Sequence, residues 1–329
     1  MKLLITIDTE ADRVWSRTDK VSTENARYLP RFQQLCEKFG FKTTYLVTYR
    51  MGQDGFFGDF AKDALSRQGC EIGSHPHPWS SPPDYKLTSD DIKFHPYLIE
   101  YPVQIMREKI KAITELLENR FGKKVYSHRA GRWAFNQVYA KILCEFGYKV
   151  DCSVTPFVKL NAEKRPVNEP QSPVVDYTDA PQHAYFLNSR DVSKGGELPL
   201  LEIPMTTMPY YGKVLSAIYG MIPDGICLYA FRAIFGRPVN WFRPHSYHQE
   251  MFRVAMHRLN SGADYIMFML HSSELMPGAN PVFKNKRQIE RMYETIEQVF
   301  GFLKDNKVKG ATCSQYYEIF ESQGGGFKK

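Results

Sequence analysis

Residues 2–12 read KLLITIDTEAD. An almost unbroken apolar run from Leu3 to Ile7 turns abruptly acidic at Asp8, Glu10 and Asp12. Continuous apolarity over so short a span describes a strand covered on both faces, as in a parallel sheet. The same punctuation recurs along the chain. CEIGSH (70–75) closes on His75, VYSHR (125–129) on Arg129, YKVD (148–151) on Asp151, and DYIMFMLH (264–271) on His271.

Helical patterns separate these runs. STENARYLPRFQQLCEKFG (22–40) has a Ser/Thr start, apolar residues at helical spacing and a terminal Gly. Further helices are expected near 57–68, 100–121 and 136–146, and over the amphipathic stretch KNKRQIERMYETIEQVFGFLKDN (284–306). Strand–helix alternation of this kind predicts an α/β fold with parallel strands. Parallel sheets and barrels expose their strand carboxyl ends on one rim, so the ionisable ends are expected to meet at a single site.

The chain of 329 residues is 43% hydrophobic, enough for one large domain. A single domain over 1–329 is expected, with 157–245 as an insertion or lid and GGGFKK (324–329) as a flexible tail. The lid region opens on the Pro-rich RPVNEPQSPVVDYTDAPQ (165–182) and continues into an aromatic, basic segment ending in WFRPHSYHQE (241–250). Arg243, His245 and His248 there are expected to overhang the site. Packing on the barrel is the reading taken for this segment; contact with the headgroup zone of a membrane is the alternative. The net charge of +7 is dispersed, which argues against nucleic acid and leaves an acidic substrate or anionic membrane surface open. Six scattered cysteines without a CxxC read as reduced thiols. The first residues lack the apolar length of a signal peptide, and no apolar run approaches the ~20 residues of a membrane span, so a cytoplasmic location is expected.

Chemistry concentrates in GCEIGSHPHPWSSPP (69–83), where His75 and His77 stand one residue apart. Two histidines with a carboxylate suit a divalent cation, most naturally Zn²⁺. Such an ion brings bound water to a pKa of about 7 and polarises a carbonyl. With a carboxylate to take the water proton and a histidine opposite, the set describes an amide or ester hydrolase.

The ordered motifs TIDTE, EIGSHPH, HRAGR, VDCSV and MLHSS resemble those of the polysaccharide deacetylases, the NodB-homology or carbohydrate esterase 4 family, over residues 1–156 and 264–318. The resemblance implies a distorted (β/α) barrel and metal-dependent removal of N-acyl groups from amino sugars, in a glycan or a lipid-linked saccharide. It implies Asp8 as catalytic base, Arg129 as its partner, His271 as general acid, Asp151 as the acid supporting His271, and His75 as a metal ligand. Two motifs depart from the family. Thr9 replaces its second acidic residue, leaving Glu10 as the candidate ligand and Asp12 as an alternative, since residues two apart in extended chain share a face. Trp79 stands where the second histidine falls, and His77, between Pro76 and Pro78, offers the missing imidazole. Trp79, Arg132 and Trp133 are candidate substrate contacts. A glycosidase, or a carbohydrate-binding relative without activity, is the rival class.

Overall fold

The computed structural model describes residues 1–12, 22–160, 173–210, 222, 238–244 and 248–325. Its centre is β1 (Lys2–Thr9), buried from Leu3 onward as its apolar run requires. Among the described residues, β1 belongs to a nine-stranded sheet with β2 (Thr43–Val47), β3 (Cys70–Ser74), β4 (Ser127–His128) and β5 (Val150–Asp151) following in spatial as in chain order. A small separate pair, β6 (Lys159–Leu160) and β7 (Val175–Asp176), comes next in the chain. The sheet then resumes with β8 (Tyr185–Phe186) and β9 (Leu201–Glu202), β9 lying parallel to β5 and β8 antiparallel at the end. β10 (Thr207–Pro209) and β11 (Val239–Trp241) form an antiparallel ribbon. At the other end β12 (Tyr265–His271) pairs with the whole of β1, and β13 (Lys309–Ala311) pairs with its first residues.

The helices cover the sheet through faces set by sequence spacing. Leu29, Phe32, Gln33 and Cys36 are the buried side of the helix Leu29–Lys38, which Pro30 opens in its first turn. The helix Lys286–Asp305 starts where Asn285 accepts the Gln288 N–H, and it buries Ile289, Met292, Tyr293, Ile296, Val299, Phe300 and Leu303. Gly122, in the left-handed region at φ 62°, ends the helix Val103–Phe121.

Part of the segment expected as a lid is barrel wall. β9 extends the parallel sheet, and the residues after it bridge from β5 to β12 instead of leaving the fold. Ile203 N donates to Asp151 O, and Met205 N to Val154 O. On the far side Tyr265 OH donates to Pro204 O, Met267 N to Thr206 Oγ1, and Met269 N to Phe242 O. This latch closes the distorted barrel where, among the described residues, no regular strand pairing does. Two-residue strands give no usable periodicity, which is why the sequence pattern broke there. Residues 211–221 and 223–237, the bulk of the segment read as lid or membrane face, lie outside the described residues, as do 326–329 of the tail. No helix among the described residues is long and apolar enough to cross a membrane.

Thr206 is buried and its hydroxyl is the acceptor for Met267 N–H. Thr206→Val keeps the shape and orphans that donor. It is expected to lower unfolding free energy by about 1–3 kcal/mol in urea titrations.

Candidate metal and catalytic site

Register brings the polar strand ends together. Asp8 is the strand neighbour of His271, and Ser74, just before His75, is the neighbour of His128, just before Arg129. Arg129 is fully buried beneath them. Its Nη1 donates to Asp8 Oδ1 at 2.6 Å, its Nη2 to Thr6 Oγ1 at 3.0 Å, and its Nε to Cys152 O at 3.0 Å. Burial alone would raise the Asp8 carboxyl; Arg129, with His75 and His271, outweighs it and holds the group below its ordinary value. Asp8 Oδ2 stands 3.9 Å from both His75 Nε2 and His271 Nε2.

Glu10 follows the end of β1, and a serine clamps its backbone. Ser272 Oγ accepts from Glu10 N at 3.0 Å and donates to Glu10 O at 3.2 Å. The carboxylate then meets both imidazoles: Oε1 lies 2.7 Å from His75 Nε2 and 2.9 Å from His77 Nε2. Glu10, His75 and His77 form a buried trio whose ligand atoms lie within 4.8 Å of one another.

The hydrogen bonds of this trio test whether it suits a cation. His75 Nδ1 lies 2.8 Å from the Arg129 carbonyl, which can only accept, so Nδ1 carries the proton. In the neutral ring the Nε2 lone pair therefore faces a carboxylate. Acceptor against acceptor calls for a proton or a metal ion between them. Burial would lower His75, but the carboxylates of Asp8 and Glu10 pull it above its ordinary value. Burial lowers His77, and Glu10 only partly offsets it, which favours the neutral imidazole that metals bind. Glu10 itself is held well below its ordinary value, since the two imidazoles overcome the burial penalty. With an ion in place of the proton between His75 Nε2 and Glu10, two neutral nitrogen donors and one anionic oxygen fit a Zn²⁺-type ion.

The His-Pro-His spacing works because of what packs on it. An added Cβ at Gly131 would sit 2.5 Å from His77 Nδ1 and 2.7 Å from the Pro76 carbonyl, so only glycine allows HRAGR to approach the histidines. Lys109, buried in the helix Val103–Phe121, pins the following loop by donating to the carbonyls of Ser81 at 2.6 Å and Pro83 at 2.5 Å.

A cavity of about 400 Å³ opens over the trio. Asp8, Glu10, His75, His77, Trp79, Arg132, Trp133 and His271 line it, together with Tyr97 and Arg243. Arg132 and Trp133 reach it from consecutive left-handed conformations, φ 55° and 63°, a cost borne where side chains must be aimed. The Trp79 ring lies on His77 at 4.4 Å between centroids, and Trp133 packs edge-on against Trp241 at 5.1 Å.

Two expectations are placed differently. Asp151, expected beside His271, bonds His128 Nδ1 at 2.5 Å and Ser153, because strand register sets it opposite His128. Its other register partner is Glu202, whose carboxyl is driven well up by burial and by Asp151 itself. The carboxylate next to His271 is instead Glu274: Oε2 accepts His271 N at 2.9 Å, and Oε1 accepts Arg243 Nη2 at 2.5 Å. Asp12 turns away from the cavity; it accepts from the amides of Glu24 and Asn25 and from the side chains of Ser22 and Asn25. Of the overhanging residues, Arg243 lines the cavity, while His245 and the side chain of His248 lie outside the described residues. Tyr97 and Glu274 carried no motif signal, though Glu274 sits three residues after His271, at capping-box spacing.

No protein-family model matches the sequence, and no curated protein matches it. Solved structures do match in shape. A protein assigned as a polysaccharide deacetylase from Mycobacterium smegmatis aligns over 98% of this chain and 91% of its own, at 18% identity and a TM-score of 0.55. The fold is that of the polysaccharide deacetylases. A protein assigned as a glycoside hydrolase/deacetylase from Parabacteroides distasonis covers 98% and 71% at 12% identity, TM-score 0.58. The 4-alpha-glucanotransferase of Thermococcus litoralis covers 97% of this chain but 40% of its own, at 12% identity and 0.54. The polysaccharide-deacetylase barrel thus resembles enzymes of more than one chemistry, and function rests on the site.

Calorimetric titration with Zn²⁺ is expected to show one ion per chain. His77→Ala should weaken it beyond the ~10–100-fold typical of a lost outer-shell partner, and Gly131→Ala by about that amount. Equal affinity in His77→Ala would remove that residue from the ligand set.

Glu274 is held at about 2, since Arg243 and His271 overcome its burial. A depressed carboxyl stabilises above its unfolded pKa, so its contribution of up to ~3 kcal/mol is whole above about pH 4.5 and fades as pH falls toward 2. The stability gap between the wild type and Glu274→Gln should close over that range.

Proposed function

We propose that the chain is a metal-dependent amide hydrolase that removes the N-acyl group from an amino sugar in a glycan or lipid-linked saccharide. The observation that carries this reading is the trio of Glu10, His75 and His77 beside an ionised Asp8 that is not committed to it. When bound, Zn²⁺ or a similar ion would supply a water acidic enough to attack and a Lewis acid for the acyl oxygen. Glu10, His75 and His77 would hold it. Asp8 takes the water proton: its low pKa and the Arg129 hydrogen bond keep it anionic, and Oδ2 faces the cavity side where both imidazoles converge. His271 Nε2, 3.9 Å from Asp8 Oδ2 in the cavity wall, donates a hydrogen bond to the bound substrate. Trp79 and Trp133 offer aromatic faces on which a sugar ring can stack.

The same geometry speaks against a glycosidase. That reaction needs one carboxylic acid held protonated to release the leaving sugar. Among the described residues the carboxyl groups lining this cavity are Asp8 and Glu10, and both are held below their ordinary values.

Release of acetate or formate from N-acylated sugar nucleotides, glycan oligomers and lipid-linked saccharides tests the proposal. Turnover should vanish with a chelator and return with Zn²⁺. Asp8→Asn should keep the metal and lose about 100-fold or more in kcat, whereas His75→Ala should lose both. Chelator-resistant activity, or a normal rate in Asp8→Asn, would overturn it.

A further inference from the structure

Arg243 follows the latch directly. Phe242 N donates to Thr206 O and Phe242 O accepts from Met269 N, two residues before His271, so the backbone that closes the barrel also delivers the Arg243 side chain to the cavity. Its Nη2 lies 3.1 Å from His271 Nδ1 and 2.5 Å from Glu274 Oε1. A guanidinium N–H can only donate, so Nδ1 must accept. The ring proton is then on Nε2, the nitrogen 3.9 Å from Asp8 Oδ2. Glu274 Oε2 takes the His271 amide at 2.9 Å and stands 3.6 Å from Nδ1, farther than the guanidinium.

From this we infer that Arg243 is a positioning residue that locks His271 in its neutral Nε2–H tautomer, making His271 a hydrogen-bond donor and leaving Asp8 to carry the proton of the reaction. The assignment rests on the amide-hydrolase reading and differs from the general-acid role that the motif resemblance implies. A histidine that serves as an acid is usefully backed by a carboxylate, which stabilises the imidazolium. Here the carboxylate expected in that place, Asp151, is engaged with His128, and a cation contacts Nδ1 instead.

The proton balance closes without His271. As the water oxygen bonds to the acyl carbon, one water proton passes to Asp8. The carbon–nitrogen bond then breaks with its electron pair on nitrogen, the carbonyl re-forms, and Asp8 returns the proton to that nitrogen. The products are the free amine and the carboxylic acid. Throughout, His271 Nε2–H holds a hydrogen bond to the substrate and keeps its proton; Asp8, Arg243 and Glu274 are charged groups beside the ring among the described residues.

Two-bond ¹⁵N–¹H spectra of the Zn²⁺-loaded full chain, labelled at histidine, test this, with the His271 signals assigned by their loss in His271→Gln. The wild type should show Nε2 protonated and Nδ1 bare at neutral pH. Arg243→Lys should keep that pattern, and Arg243→Met should bring up an Nδ1-protonated form beside Glu274. In deacylation assays Arg243→Met should lower kcat by roughly 100-fold with KM within about twofold, and Arg243→Lys should recover part of it. A wild-type ring protonated at Nδ1 would overturn the inference, as would an Arg243→Met chain with unchanged tautomer and kcat. The spectra need no substrate, so an Nε2–H ring in a chain without deacylase activity would sink the function and leave the tautomer lock standing.

Discussion

The structure depends on one fully buried cation. The Arg129 guanidinium reaches Asp8 and Thr6 on β1, the Cys152 carbonyl beyond β5 and the Met267 sulfur on β12, and it stacks at 4.5 Å on Trp133. Its main chain fixes the other half of the site, since Arg129 N donates to Ser74 O and Arg129 O accepts the His75 ring proton. A charge this deep is tolerated only with its donors filled and an anion beside it. Asp8 is that anion. The pair therefore joins the barrel and the chemistry: removing either partner leaves an uncompensated charge in the core.

Around that pair the cavity divides its labour by charge. Glu10 carries the negative charge that two imidazoles and a cation can share, Asp8 is kept anionic by Arg129, and His271 is framed by Arg243 and Glu274. Neighbouring carboxyls thus have different partners, and partners rather than position set what each can do. Enzymes of different chemistry resemble this barrel in shape, so protonation and hydrogen-bond direction in the cavity, and not the fold, distinguish amide hydrolysis.

Much of this was legible in sequence because it follows from short-range rules. Long apolar runs such as Leu3–Ile7 and Tyr265–Leu270 announce buried parallel strands, and the ionisable residue ending each must lie on the common rim. The two-residue spacings Asp8/Glu10 and His75/His77 follow from extended backbone, and the structure gathers Glu10, His75 and His77 as that spacing allows. What stayed hidden depends on contacts between distant segments. The strand Leu201–Glu202 and the latch at Pro204–Thr207 are too short for periodicity. Asp151 is drawn to His128 by strand register, and Arg243 reaches His271 only because Phe242 is hydrogen-bonded to β12. Tyr97 enters the cavity from a loop with no motif.

The proposed chemistry requires a cation bound where Glu10, His75 and His77 meet. Anomalous diffraction from crystals grown with Zn²⁺, recorded above and below the zinc absorption edge, addresses that directly. One peak is predicted, at about 2.0–2.2 Å from His75 Nε2, His77 Nε2 and a Glu10 carboxylate oxygen. A fully occupied peak elsewhere with this trio still closed by its own hydrogen bonds, or none at all, would contradict it.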